Sequence, residues 1–249
     1  MKHLEELIDL KECPRLGQKY KGIVALPLAL PKFELDNVDE FWQIWNKELT
    51  TVARQHFDRG VIGKDTPSLE FTQWNGLALY EDETLLGKAA WVTALSPALA
   101  NSQQKLIKSI FDRLPFVRIR SIRLWSANRN VNAHYDGNMP VTLDGQLRFP
   151  TEIRIMMDDN NPTETFWLTS STKNKPQQPV LLGDRHYVRL PVDTNTFAWN
   201  NEDFLHGADY NTNYSKVLAV IKGWVDVSKL EILLDQSIQQ YPNYVLREK

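Results

Sequence analysis

The sequence predicts a mainly β protein, an antiparallel sandwich or barrel with flanking helices. Three observations carry that prediction. Between residues 116 and 226 short runs rich in β-branched and aromatic residues follow one another, separated by turn residues. None of the intervening stretches reads as a helix long enough to cross back between parallel strands, which argues against a Rossmann fold or a TIM barrel. Apolar residues at helical spacing lie mainly outside that region, before residue 115 and after residue 227.

In the first part, Asp36 or Asn37 caps a helix whose stripe is Val38, Phe41, Trp42, Trp45, Leu49, Val52 and Ala53. A second helix is expected from about Ser102, with Leu106, Ile107, Ile110, Phe111 and Leu114 on one face and Pro115 ending it. Between them Phe71 to Glu81 reads as a strand. The β region contains VRIRSIRLWSA, a short strand entering His134, TEIRIMMDD, ETFWLTS, PVLLG with HYVRL, NTFAWN, a short strand around LHGAD, and SKVLAVIKGWV. A closing helix spans Ser228 to Gln240, where Ser228 and Glu231 form a capping box. No Gly/Ser-rich linker interrupts the chain. The expectation is one domain over 1–249: a helical layer over 1–115, a β core over 116–226, and a helix with its tail over 227–249.

Composition narrows the function classes. A net charge of −2 gives no bulk attraction to nucleic acid or to an anionic membrane. The single cysteine, Cys13, allows no internal disulfide and suits a reducing compartment. MKHLEELIDLKE is too charged for a signal peptide, and no run approaches the roughly 20 apolar residues of a membrane helix. These features lead to the expectation of a cytoplasmic protein. Arg118 and Arg120 share one face of their strand, and strict alternation puts Arg123 on the other. That short stripe reads as a salt-bridged outer sheet face rather than a nucleic-acid surface.

The stretch NVNAHYDGNMP carries the chemistry. On an extended segment His134 and Asp136 project to the same side. An imidazole and a carboxylate converging on one point suit a divalent metal, although Asp136-Gly137 also reads as a turn. Of the five histidines, His206 is the best third ligand, in a short strand late in the β region, and His186 is the runner-up. Two histidines and one carboxylate on one face of an ion leave positions open, the arrangement of non-haem Fe(II) oxygenases. A second pair, His56-Phe57-Asp58, falls near the end of a helix, where i and i+2 do not face each other. Lys216 opens the strand SKVLAVIKGWV. If residues 217, 219, 221, 223 and 225 pack outward against helices, Lys216 points into the barrel.

These residues resemble the Fe(II)- and 2-oxoglutarate-dependent oxygenases. His134-Tyr135-Asp136, His206 and a basic residue ten positions on, Lys216, are similar to that family's His-x-Asp…His triad and co-substrate anchor. Asn211, five residues after His206, also fits. Arg154 in TEIRIMMDD matches the arginine of the Arg-x-His strand in the aspartyl/asparaginyl β-hydroxylase-like and proline-hydroxylase-like branch, with Met156 at the histidine position. The resemblance covers about residues 115 to 226. It implies a double-stranded β-helix, or jelly roll, of cupin-like type. His134, Asp136 and His206 would bind Fe(II), and Lys216 or Arg154 would hold 2-oxoglutarate. The activity implied is O2-dependent hydroxylation of an amino acid or a protein side chain, with release of succinate and CO2. Asp136 favours hydroxylation over halogenation, since related halogenases have glycine or alanine there. A cupin-like metal enzyme without 2-oxoglutarate and a nucleic-acid-binding module are the competing readings.

Overall fold

A computed structural model of the chain describes residues 18–20, 22–41, 43–44, 77–82, 96–126, 131–134, 141–143, 146–148, 150–157, 166–169, 182–200, 204–209 and 217–248. Thirteen strands and two long helices run through them. They are β1 (Ile23–Pro27), β2 (Leu77–Glu81), α1 (Pro97–Arg113), β3 (Phe116–Ser126), β4 (Val131–His134), β5 (Val141–Leu143), β6 (Gln146–Arg148) and β7 (Thr151–Met156). There follow β8 (Phe166–Thr169), β9 (Arg185–Tyr187), β10 (Thr196–Trp199), β11 (His206–Ala208), β12 (Val217–Val225), α2 (Val227–Gln240) and β13 (Leu246–Arg247).

Seven strands form one antiparallel sheet in the order β13-β1-β10-β7-β12-β3-β2, and four form a second in the order β4-β11-β8-β9. β5 and β6 make a separate hairpin. The two sheets face each other. Met156, Phe197, Trp199 and Leu218 of the large sheet share an apolar cluster with Phe166 and Leu168 of the small one. Trp125 and Phe166 meet across the gap with ring centroids 5.5 Å apart. The other face of the large sheet is covered by helices: Leu106 and Ile110 of α1 and Leu230 and Leu234 of α2 pack with Ile122 and Ile153. The result is a jelly-roll-like sandwich with one helical flank.

The alternation along β12 decides what each residue meets. Val217, Ala219 and Ile221 enter the helix-side core, while Leu218 and Val220 face the small sheet. This is the arrangement on which the expected inward direction of Lys216 depended; Lys216 itself lies outside the described residues, as do Asp136, Asn211 and the His56–Asp58 pair.

Several boundaries differ from the sequence reading. Ile23–Pro27, in the span expected to form a helical layer, is a strand buried along its whole length. Such a continuous apolar run, flanked on both faces, has no strand periodicity to reveal it. Residues 38–41 and 43–44 are helical, as expected, with Glu40 and Phe41 N–H groups donating to the Asn37 carbonyl. α1 begins five residues before the expected Ser102, because Ser96 caps it by accepting from Leu99 N and Pro97 fits the first turn. Phe111 of that helix is largely exposed, with its ring edge-on to Tyr80, not in the core stripe. The cap of α2 is Asp226, whose carboxylate accepts from Lys229 N; Ser228 is already inside the helix, so the expected capping box does not form. Ahead of β9, Leu182–Asp184 form a 3-10 turn, so Leu182 and Gly183 of PVLLG are not strand; the rest of that run lies outside the described residues.

A β-bulge shapes the β3–β12 pair. Lys222 lies opposite Ser121 but Gly223 lies opposite Ile119, leaving Arg120 as the extra residue. Ile119 and Ile122 both enter the helix-side core, so Arg120 and Ser121 fall consecutively on the face toward the small sheet. Arg123, opposite Val220, shares that face. The expectation that strict alternation puts Arg123 on the face opposite Arg120 is thereby corrected: the bulge resets the alternation. Gly223 is what lets the strands close here. A Cβ on it would collide with the Arg118 carbonyl oxygen and stand 2.9 Å from Ile119 Cα, both backbone atoms that cannot swing aside.

Gly223→Ala is therefore expected to destabilise the protein by roughly 1–3 kcal/mol through overpacking, read as a lowered urea midpoint. Alkaline pH tests the docking of the C-terminal helix. Burial, and then the hydrogen bond to Asp193, push the Tyr241 hydroxyl up from 10.0 to about 12. Below pH 10 both states keep the proton and stability is unaffected. Between pH 10 and about 12 the unfolded chain ionises first, so stability falls as pH rises. Tyr241→Phe should remove that share of the fall in pH-dependent denaturant melts.

Candidate metal centre

β11 is three residues long and hydrogen-bonds on both sides. Its register places His206 directly opposite His134 of β4 and opposite Leu168 of β8, and Leu168 in turn opposite His186 of β9. Directly opposed residues of antiparallel strands share a sheet face and stand about 4.5–5.5 Å apart. Leu168 belongs to the cluster between the sheets, so His206 beside it faces inward. His206 is only 3% exposed. Its ring lies 4.9 Å from that of Trp199, tilted by 51°, across the gap from the large sheet.

The row separates the two histidines that the sequence offered as partners for His206. Position 134 is its immediate neighbour. His186 is two strands away with Leu168 between them, about 9–10 Å in backbone terms. Asp136 follows two residues after the end of β4. Position 134 is fixed here by backbone register alone.

Above His206 the large sheet presents a buried charged group. Arg154 Nη2 lies 2.6 Å from Glu152 Oε1, and Lys222 Nζ lies 3.5 Å from Glu152 Oε2. The Arg154 guanidinium also lies over the Trp199 ring, 3.8 Å from its centroid. Trp199 is thus held between a cation and the His206 imidazole, an arrangement that restrains both rings. β7 supplies this group because Glu152, Arg154 and Met156 alternate with Ile153 and Ile155, which go to the helix side. Arg154, read from sequence as a carboxylate anchor, already has a carboxylate partner within the protein. Glu152 and Lys222 were not singled out in the sequence. The signal was present in the i, i+2 spacing of Glu152 and Arg154 on one strand.

A second polar cluster holds β11 from its outer face. Asp209 accepts from Arg185 Nη1 at 2.6 Å, from Trp167 Nε1 at 3.3 Å and from the Tyr187 hydroxyl. Burial, reinforced by the bond to Asp209, raises the Tyr187 pKa, so this donor keeps its proton at neutral pH. One carboxylate thereby joins side chains of β8 and β9 to the end of the strand that carries His206.

No protein-family model and no curated protein matches this sequence. Solved structures do align with it. A prolyl hydroxylase in complex with a hypoxia inducible factor oxygen degradation domain peptide fragment, from Trichoplax adhaerens, is 10% identical over 94% of this chain and 96% of that one, with a TM-score of 0.34. HygX from Streptomyces hygroscopicus, with nickel and 2-oxoglutarate bound, is 12% identical over 82% of this chain and 83% of its own, with a TM-score of 0.34. EvdMO1 is 17% identical over 84% of this chain, with a TM-score of 0.36; the chain spans about half, 49%, of its length.

The buried ion pairs make a direct stability prediction. Glu152→Ala leaves Arg154 and Lys222 facing each other without their shared carboxylate. The expected loss is roughly 3–5 kcal/mol, measured by urea unfolding.

Proposed function

We propose that this chain is an Fe(II)- and 2-oxoglutarate-dependent dioxygenase that hydroxylates an unactivated C–H bond of an amino acid or amino-acid side chain. The single observation that carries the reading is the cross-strand pairing of His206 with His134, two residues before Asp136. Two histidines at opposed positions of adjacent strands, with an aspartate two residues on in the sequence, are a donor set that would fit a ferrous ion.

The strand order supports a double-stranded β-helix. The chain passes from β3 in the large sheet to β4 in the small, from β7 to β8 and β9, back to β10, then to β11 and to β12. Each sheet is therefore assembled from strands distant in sequence, and His134 ends β4 opposite His206, which begins β11. In this reading residues 1–249 form one oxygenase domain acting in the cytoplasm on a small molecule or a protein side chain.

His134, Asp136 and His206 would hold the metal. Lys216 or Arg154 neutralises the far carboxylate of 2-oxoglutarate. Bound together, metal and co-substrate supply O2 activation and C–H oxidation, with succinate and CO2 as co-products. The surrounding residues have simpler duties. Trp199 fixes the plane of the His206 imidazole, and Phe166, Leu168 and Leu218 exclude water from the space between the sheets. In that dry space an anionic co-substrate needs a cation, because a buried carboxylate is costly when unpaired.

Anaerobic titration with Fe(II) and then 2-oxoglutarate should produce a visible metal-to-ligand charge-transfer band. His134→Ala and His206→Ala should each abolish it. Lys216→Ala is expected to weaken 2-oxoglutarate binding about tenfold, the worth of one charge-assisted hydrogen bond. Arg154→Gln tested alongside assigns the anchor: the variant with the larger loss names it. A full band in both histidine variants overturns the reading.

A further inference from the structure

The bulge at Arg120 collects more positive than negative charge on the inward face of β3. Arg123 Nη2 forms an ion pair with Glu81 of β2, which lies opposite Ser121, two residues along β3. The Nε of Arg123 is buried and has no hydrogen-bond partner among the described residues. The Arg120 side chain has no hydrogen bond or ion pair among the described residues, although it is half-buried; only its carbonyl is engaged, accepting from Asp82 N. Burial and then the nearby Arg123 pull its pKa down, while Glu81 opposes them, so the three groups act on one another directly. Two guanidinium groups thus share one carboxylate, and one positive charge is left without an anion. An unbalanced charge in a half-buried site is costly. An oxyanion arriving there would offset that cost and would meet donors in the fork geometry that suits carboxylate and phosphate.

We propose that Arg120 and Arg123 form an oxyanion-binding subsite for the substrate, which therefore carries a carboxylate or phosphate group. The word substrate here rests on the oxygenase reading above; the anion site does not. Its position keeps it apart from the co-substrate. β3 is two strands from β7, so Arg123, which like Arg154 lies opposite Val220, stands about 9–10 Å from the Arg154 position in backbone terms, and Arg120 lies farther along β3. The face is the one turned toward the small sheet, where the candidate metal centre lies. The subsite suits a small anion better than a polymer. It is recessed rather than exposed along a stripe, and Glu81 would repel the neighbouring charges of a polyanion.

The test is calorimetric titration of inorganic phosphate, and separately of acetate, at constant ionic strength. It is run on the Co(II)- and 2-oxoglutarate-loaded protein without O2, and again on the metal-free protein. Saturable binding of one anion is expected, and the tighter of the two names the class. Arg120→Gln should weaken it about tenfold, as loss of a charge-assisted bond does. Arg120→Lys should retain most of it, and Arg118→Gln, whose residue pairs with Asp82, should leave it unchanged. Equal melting temperatures for the variants and the wild type exclude misfolding as the cause.

No saturable binding, wild-type affinity in Arg120→Gln, or displacement of 2-oxoglutarate by phosphate each overturns the subsite. An oligonucleotide that binds far more tightly through the same arginine overturns its assignment to a small anion. Failure of Co(II) and 2-oxoglutarate to bind, with phosphate binding intact, overturns the oxygenase reading alone.

Discussion

β11 depends on pairing along both of its edges. β4 lies on one side and β8 on the other, and three residues suffice because both partners hydrogen-bond it. Everything in the candidate centre follows from that placement. It sets His206 opposite position 134, turns His206 toward the gap between the sheets, and brings its imidazole under Trp199. A slip of one residue would send His206 to the outer face. The register is guarded from both sides. Leu168 and Phe166 fix the neighbouring strand through burial, and Asp209 fixes it from outside through Arg185, Tyr187 and Trp167.

The large sheet contributes charge where the small sheet contributes the candidate histidines. Its helix-side face is apolar, with Ile119, Ile122, Ile153, Ile155 and Ile221 under α1 and α2. Its other face carries Glu152, Arg154, Lys222, Arg120 and Arg123 among aromatic residues. Polar residues on an inward face are expensive unless they are paired or serve a ligand. Most of these are paired within the protein, and the pairing of Glu152 with Arg154 stiffens the support beneath Trp199. The bulge that Gly223 permits adds Arg120 to this face without displacing Ile119 or Ile122 from the core.

Much of this architecture is legible in the sequence. The strands at 116–126, 151–156, 166–169, 196–199 and 217–225 fall where alternation and turn residues put them, and Pro115 ends α1's neighbourhood as a proline should. The closing helix is legible as well. The misses have physical reasons. β1 is apolar on both faces and so lacks a period. The caps of α1 and α2 sit ahead of the first apolar repeat, so the pattern alone starts each helix late. Bulges are invisible to alternation, and one of them reversed the side assigned to Arg123. The row of His134, His206, Leu168 and His186 depends on long-range pairing, which spacing along the chain does not encode. The register of β4 and β11 sets His206 opposite His134, and Asp136 lies outside the described residues.

The central claim is that His134 and His206 ligate one metal ion between the two sheets. The most direct measurement is X-ray absorption at the cobalt edge of the Co(II)-loaded protein, compared with its His134→Ala and His206→Ala variants. The account predicts one site whose outer-shell scattering is that of two imidazoles, reduced to one in each variant. A spectrum with no imidazole scattering, or one unchanged by either substitution, would contradict it.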